Sequence, residues 1–301
     1  MRRLLPIAVL AGVICASGAR AQHAGVDVRW SPERPPPGTL LRIAAHAAES
    51  TRLEALDGRV AGEPLHFVRA GDSLVAYAGV PADPPDTLVL TLLVLDSASR
   101  ADSVSLPIVV HVEPAPPART GERLRVASRF SRAPDSALAA RMARESAMAM
   151  EVARRAHDTP RLWHEPFERP RGSRITSRFG TGRVFNGSVQ SRHLGVDLAG
   201  AVGAPVRAAN RGIVALVADF HLAGTAIYVD HGAGLVTGYF HLSKAEVAAG
   251  DTVARGEVIG RVGATGRVTG PHLHWIARYG TVTVDPLSVV RATEGGEGSR
   301  E

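Results

Sequence analysis

Arg211-Gly-Ile-Val-Ala-Leu-Val217, Thr225-Ala-Ile-Tyr-Val-Asp230 and Glu257-Val-Ile-Gly-Arg-Val262 decide the fold of the C-terminal half. Each run is short, rich in β-branched residues and punctuated by glycine, and no convincing helical stretch separates them. Runs of this length and composition form strands. Residues 167–290 therefore read as an all-β domain of hairpins, whose chemistry must come from side chains on strands and their loops.

Within that domain, His193-Leu-Gly-Val-Asp197 read as a strand puts His193, Gly195 and Asp197 on one face. Leu194, Val196 and Leu198 then share the other face and can enter a core. A nitrogen donor and an oxygen donor point the same way, and Gly195 between them leaves room for a metal or a substrate backbone. His272-Leu-His274 follows the same rule, with Leu273 turned away from both imidazoles. Three imidazoles and a carboxylate on two strands meet the needs of a catalytic zinc: three protein ligands, one position for water and a base nearby. Spacing alone does not say which of these side chains are ligands.

The surrounding text is more specific. Ser177-Arg-Phe-Gly180, Arg192-His-Leu-Gly-Val-Asp197, Gly203-Ala-Pro-Val206, Asp230-His-Gly232, Tyr239-Phe-His-Leu-Ser243, Gly263-Ala-Thr-Gly266 and Gly270-Pro-His-Leu-His274 occur in that order. The series resembles the lysostaphin-like (LytM-type) zinc metalloendopeptidases through Asp285-Pro286, and nothing N-terminal of Phe167 takes part. The resemblance implies one Zn2+ per chain, held by His193, Asp197 and His274, with His241 and His272 completing catalysis. His272 is the candidate general base and His241 the candidate for steadying the oxyanion or protonating the leaving amine; the sequence leaves the two roles interchangeable. Peptide stems of bacterial peptidoglycan are the implied substrate. Trp275 and Ile276 stand where the family often has an aromatic and an acidic residue, so the acidic one is missing here. Family members that have lost ligands regulate cell-wall amidases without enzymatic activity. That role and a wall-binding scaffold are the alternatives, against which the five-residue set is complete. His221 and His231 read as structural, and Gly234, Gly263, Gly266 and Gly270 as turn residues with positive φ.

Upstream, Leu40 to Ala44, Leu65 to Val68, Leu74 to Tyr77, Leu88 to Leu95 and Val104 to Val112 are strand-like runs separated by Pro, Gly and Asp. They predict a small β-sandwich over residues 22–113, immunoglobulin-like in general form. His46, His66 and His111 are too scattered within it to suggest a site. Pro114-Ala-Pro-Pro117 reads as a stiff linker. Asp135 to His157, with Leu138, Met142, Ala149 and Val152 near helical spacing, predicts a helix that ends before Pro160 and packs as a connector. Trp163 and Phe167 can anchor that packing. Linker and helix together make up residues 114–166, and residues 291–301 read as a disordered tail. We expect residues 22–166 either to cover part of the catalytic groove or to form a tethered module that leaves it untouched.

Arg2 and Arg3 precede an apolar run from Leu4 to Ile14, and Ala19-Arg20-Ala21 places small residues where a signal peptidase reads. Residues 1–21 therefore predict a signal peptide and an exported protein of the periplasm or cell envelope. The apolar run is well short of the ~20 residues that span a bilayer, and no later segment supplies one, so stable membrane insertion is not expected. Cys15 is the only cysteine and lies in the leader, which removes thiolates from any metal site of the mature chain. The formal net charge is +6, of which the leader arginines contribute three. The remaining positive balance is too mild to argue for nucleic acid.

Overall fold

The computed structural model describes residues 19–23, 26–47, 53–96, 101–111, 121–130, 132–187 and 189–294. Most of the expected leader, the prolines at 114–117 and residues 295–301 lie outside the described residues. Ala19–His23 forms a strand paired with Val26–Ser31, so a cut after Ala21 would divide that strand.

Among the described residues, two sheets make up the N-terminal part. One has five strands in the order Ala19–His23, Val26–Ser31, Leu40–Ala47, Ser73–Gly79 and Val68–Ala70. The other has four, in the order Glu63–Pro64, Leu53–Val60, Thr87–Asp96 and Ala101–Val109. Alternating side chains from both, among them Val28, Ile43, Leu90, Leu92 and Ile108, meet in one core. Val89, Leu93 and Val109 face solvent on the outer side of the second sheet. The run from Leu65 to Val68 departs from the expectation, because only Val68 enters a strand. Leu65 instead donates its N–H to Gly58 and buries its side chain in the sandwich core.

The connecting helix spans Ser136–Arg155, and Asp135 caps it by accepting from the Leu138 N–H at 2.8 Å. Its Ala149, with Ala156 just beyond its end, joins Phe220, Tyr228, Val236, Phe240 and Ile276 in a satellite cluster on the C-terminal sheet. That sheet runs Ile175–Ser177, Val196–Ala199, His272–Tyr279, Leu235–Ala245, Gly224–Gly232, Gly212–Phe220 and Thr252–Val253, with antiparallel neighbours. Period-2 alternation divides each strand between two faces. Leu198, Ile227, Val229, Tyr239, Leu273 and Trp275 fill the main core on one side. The other side carries the helix-covered cluster at one end, and it carries Asp197, His272 and His274 at the other.

The N-terminal sheets are docked on the C-terminal sheet. Leu40 and Tyr77 belong to its main core, the Leu40 N–H donates to Ser288 Oγ at 2.9 Å, and the Tyr279 hydroxyl donates to the Pro64 carbonyl at 2.6 Å. Trp163 and Phe167 pack in the same core. A second helix, Pro286–Glu294, overturns part of the expected tail: residues 291–294 are ordered. Thr293 is buried there because its hydroxyl accepts from the Phe167 N–H at 3.0 Å and donates to the Val289 carbonyl at 2.8 Å.

Candidate metal centre

Strand register builds the site. Asp197 lies directly opposite His274 and Ala199 opposite His272, so the carboxylate and both imidazoles project from one face of neighbouring strands. His193 arrives differently from the sequence expectation. The strand Val189–Arg192 ends before it, the chain bends at Gly195, and pairing resumes only at Val196. The bend breaks the alternation, so Leu194 is 41% exposed and does not enter the core, whereas Val196 and Leu198 do. A Cβ on Gly195 would come within 2.6 Å of the Trp275 carbonyl oxygen and 2.7 Å of His274 Cε1. Gly195 is therefore needed for close approach of the chain to His274.

Three donor atoms converge. His193 Nε2 is 2.9 Å from His274 Nδ1 and 3.1 Å from Asp197 Oδ1, and His274 Nδ1 is 2.8 Å from the same oxygen. His193 Nδ1 donates to the Arg178 carbonyl at 2.9 Å, which turns the lone pair of Nε2 toward the other two atoms. Burial opposes ionisation of Asp197, but hydrogen bonds and charge from His193 and His274 overcome it and hold the carboxyl well below its usual range. Burial likewise pushes His274 down to about 4, so its imidazole is neutral near pH 7. An ionised Asp197 carboxylate and a neutral His274 imidazole are protonation states that metal binding requires. Tetrahedral zinc with bonds of about 2.0–2.1 Å separates its ligand atoms by roughly 3.3 Å, close to the triangle observed. The residues present fit the ion.

His241 and His272 flank this triangle. Their Nδ1 atoms lie 2.8 Å from the carbonyls of Thr265 and Gly270, which assigns the N–H to Nδ1 and leaves each Nε2 as an acceptor. His272 Nε2 is 3.6 Å from Asp197 Oδ1, and the two rings are 5.0 Å apart. Burial, then the neighbouring His274 and His272, lowers the pKa of His241 well below the ordinary histidine value. His241 also has φ of 64°, a left-handed conformation that non-glycine residues seldom adopt and that costs about 1–3 kcal/mol. All five residues singled out in the sequence are therefore gathered in one place. His231 stands apart: it is fully buried, donates from Nδ1 to the Arg211 carbonyl and lies 2.8 Å from the Thr237 hydroxyl. His221 packs its ring against Phe130 on the connector side. Among the four glycines expected at positive φ, Gly234 and Gly266 adopt it, and Gly263 and Gly270 do not. Gly263 is required for space instead, since a Cβ there would lie 2.3 Å from the Ser243 nitrogen.

Sequence reasoning missed a set of charged neighbours. Arg183 donates through Nη2 to Asp197 Oδ2 and through Nε to Glu122 Oε2 at 3.1 Å. Glu122 comes from a short strand, Glu122–Leu124, that pairs in parallel with Gly182–Phe185. Glu122 and Leu124 therefore line the same cavity of about 420 Å³ as Asp197, His241 and His272. No local pattern in the sequence signalled Arg183 or Glu122.

Residues 191–286 match the profile of Peptidase family M23. The DD-carboxypeptidase/endopeptidase Mpg of Neisseria meningitidis serogroup B is 45% identical over 101 residues, 34% of this chain and 23% of that protein. The peptidoglycan DD-endopeptidase ShyA of Vibrio cholerae serotype O1 is 41% identical over 103 residues, 34% of this chain and 24% of that one. The chain thus matches about a quarter of the length of these relatives. A Pseudomonas aeruginosa crystal structure, provisionally described as a peptidase M23, superposes with a TM-score of 0.65 at 27% identity. It covers 86% of this chain and 96% of its own, so the likeness extends beyond the C-terminal domain to most of the architecture.

Proposed function

We propose, from the Peptidase family M23 domain that occupies residues 191–286, that this chain is an exported zinc metalloendopeptidase hydrolysing peptide cross-links of bacterial peptidoglycan. The observation that carries the reading is the triangle of His193 Nε2, Asp197 Oδ1 and His274 Nδ1, with two further imidazoles beside it. A zinc ion held by these three atoms would supply Lewis acidity and bring the pKa of water toward about 7. In this reading His272 Nε2 takes the proton of the attacking water. The same proton then passes from His272 by way of His241 Nε2, whose ring is 5.0 Å away and where burial disfavours the imidazolium, to the leaving amine nitrogen. The names of the relatives support peptidoglycan as substrate class. Export rests on the leader read in residues 1–21. No described helix is long and apolar enough to cross a membrane.

The proposal includes a division of labour along the chain, with a sandwich at 22–113, a connector at 114–166 and the catalytic unit at 167–290. The connector is assigned a restricting role, because Glu122 and Leu124 stand in the wall of the groove. A purified cross-linked muropeptide dimer tests the function: zinc-loaded protein should convert it to monomers, a chelator should stop this, and added zinc should restore it. A dimer left intact by the zinc-loaded protein would overturn the proposal.

A further inference from the structure

Arg267 sits in the loop between the strands Val258–Val262 and His272–Tyr279. Its guanidinium carbon lies 4.1 Å from the centroid of the Phe185 ring, a cation–π contact that holds the group against the ring face. It lines two adjoining cavities at the metal centre: the groove of about 420 Å³ with Asp197 and His272, and a second of about 220 Å³ with His193 and His274. His241 lines both as well, so Arg267 stands beside the reacting centre on the path a bound peptide would follow.

Charge around Arg267 is unbalanced. Arg183, two residues from Phe185 on the same face of its strand, has both of its acidic partners in Asp197 and Glu122. Arg267 forms no ion pair with a carboxylate among the described residues. Burial, and then the like charge of Arg183, both press against its charged form. A half-buried guanidinium with a cationic neighbour and no anion is costly unless a ligand brings the anion. The planar fork of arginine suits a carboxylate, which it can bind through two parallel hydrogen bonds.

We propose that Arg267 is a specificity-determining residue that receives a free carboxylate of the peptide substrate next to the scissile bond. The inference rests on the hydrolase reading above and narrows it to anionic peptides. A substrate in which that carboxylate is a carboxamide offers a donor where Arg267 needs an acceptor, and is discriminated against.

The test compares two cross-linked peptides, identical except that one has a free carboxylate beside the scissile bond and the other a carboxamide, with the full mature protein carrying zinc. The native protein is expected to favour the acid by about 10-fold to 100-fold in kcat/KM, mainly through KM. Arg267→Ala should reduce that preference to near unity, and Arg267→Lys should keep only part of it. Equal cleavage of the two peptides by the native protein, or an equal loss on both in Arg267→Ala, would overturn the assignment. Cleavage of neither would indict the hydrolase reading. Calorimetric binding of the same two peptides then decides the role of Arg267: tighter binding of the acid upholds it, and equal binding overturns it.

Discussion

Arg183 donates to Oδ2 of Asp197, the carboxylate oxygen that the histidines leave free. The bond fixes the carboxylate plane so that Oδ1 faces both His193 and His274. Outer partners of this kind orient a metal ligand and typically change affinity by about 10-fold to 100-fold when removed. Arg183→Met is therefore expected to weaken zinc binding by about that factor in a chelator competition. Native affinity in the variant would show that Asp197 is positioned without Arg183.

Ligands and proton-transfer groups should separate cleanly under mutation. Alanine at His193, Asp197 or His274 is expected to remove zinc from the purified protein, whereas alanine at His241 or His272 should leave zinc bound and lower kcat by about 10²-fold or more. Metal analysis of the five variants checks this. Zinc loss that followed His272 instead of His274 would contradict the ligand assignment.

The connector offers a test of restricted access. A truncation near Phe167 would strip Leu40 and Tyr77 from the main core, so substitution is the better probe. Glu122→Ala combined with Leu124→Ala opens the groove wall without touching the described core clusters. We expect kcat/KM on a small soluble peptide, where wall targeting cannot help, to rise by about threefold or more. An unchanged rate on that peptide would mean that the segment leaves the groove accessible.

Stability should respond to acid through His231. Burial lowers its pKa to about 4, so the unfolded chain, with histidine near 6.5, binds the proton more tightly. This neutral imidazole therefore contributes stability that is complete above pH 6.5 and is lost as the pH falls toward 4. The difference between pH 7 and pH 5 is about 2 kcal/mol. Urea unfolding at the two pH values, compared between the native protein and His231→Gln, isolates this contribution. A variant with the same pH dependence as the native protein would exclude His231 as its source.

Much of the C-terminal domain was legible because its signals are local. The β-branched runs gave the strands, and His272-Leu-His274 gave two imidazoles on one face, since period-2 alternation holds along an intact strand. The same rule failed at Leu194, where the bend at Gly195 interrupts the strand. Other features depend on partners distant in the chain. Asp197 faces His274 through register, and Glu122 reaches Arg183 through a parallel pairing across sixty-one residues, neither of which a single segment encodes. The left-handed backbone of His241 was equally hidden, because histidine carries no preference strong enough to announce it. Residues 291–294 read as a tail because the contact that orders them, Thr293 with Phe167, spans most of the C-terminal domain.

Whether this site cuts peptide bonds in peptidoglycan is tested most directly by mass spectrometry of the muropeptides obtained from purified wall sacculi after treatment with the protein. Sacculi incubated with the zinc-loaded mature protein and then digested with a muramidase should yield monomeric muropeptides in place of cross-linked dimers, each opened cross-link having gained one water, and His272→Ala should do so about 10²-fold or more slowly. Sacculi whose cross-linked muropeptides remain intact after incubation with the zinc-loaded native protein would contradict the account.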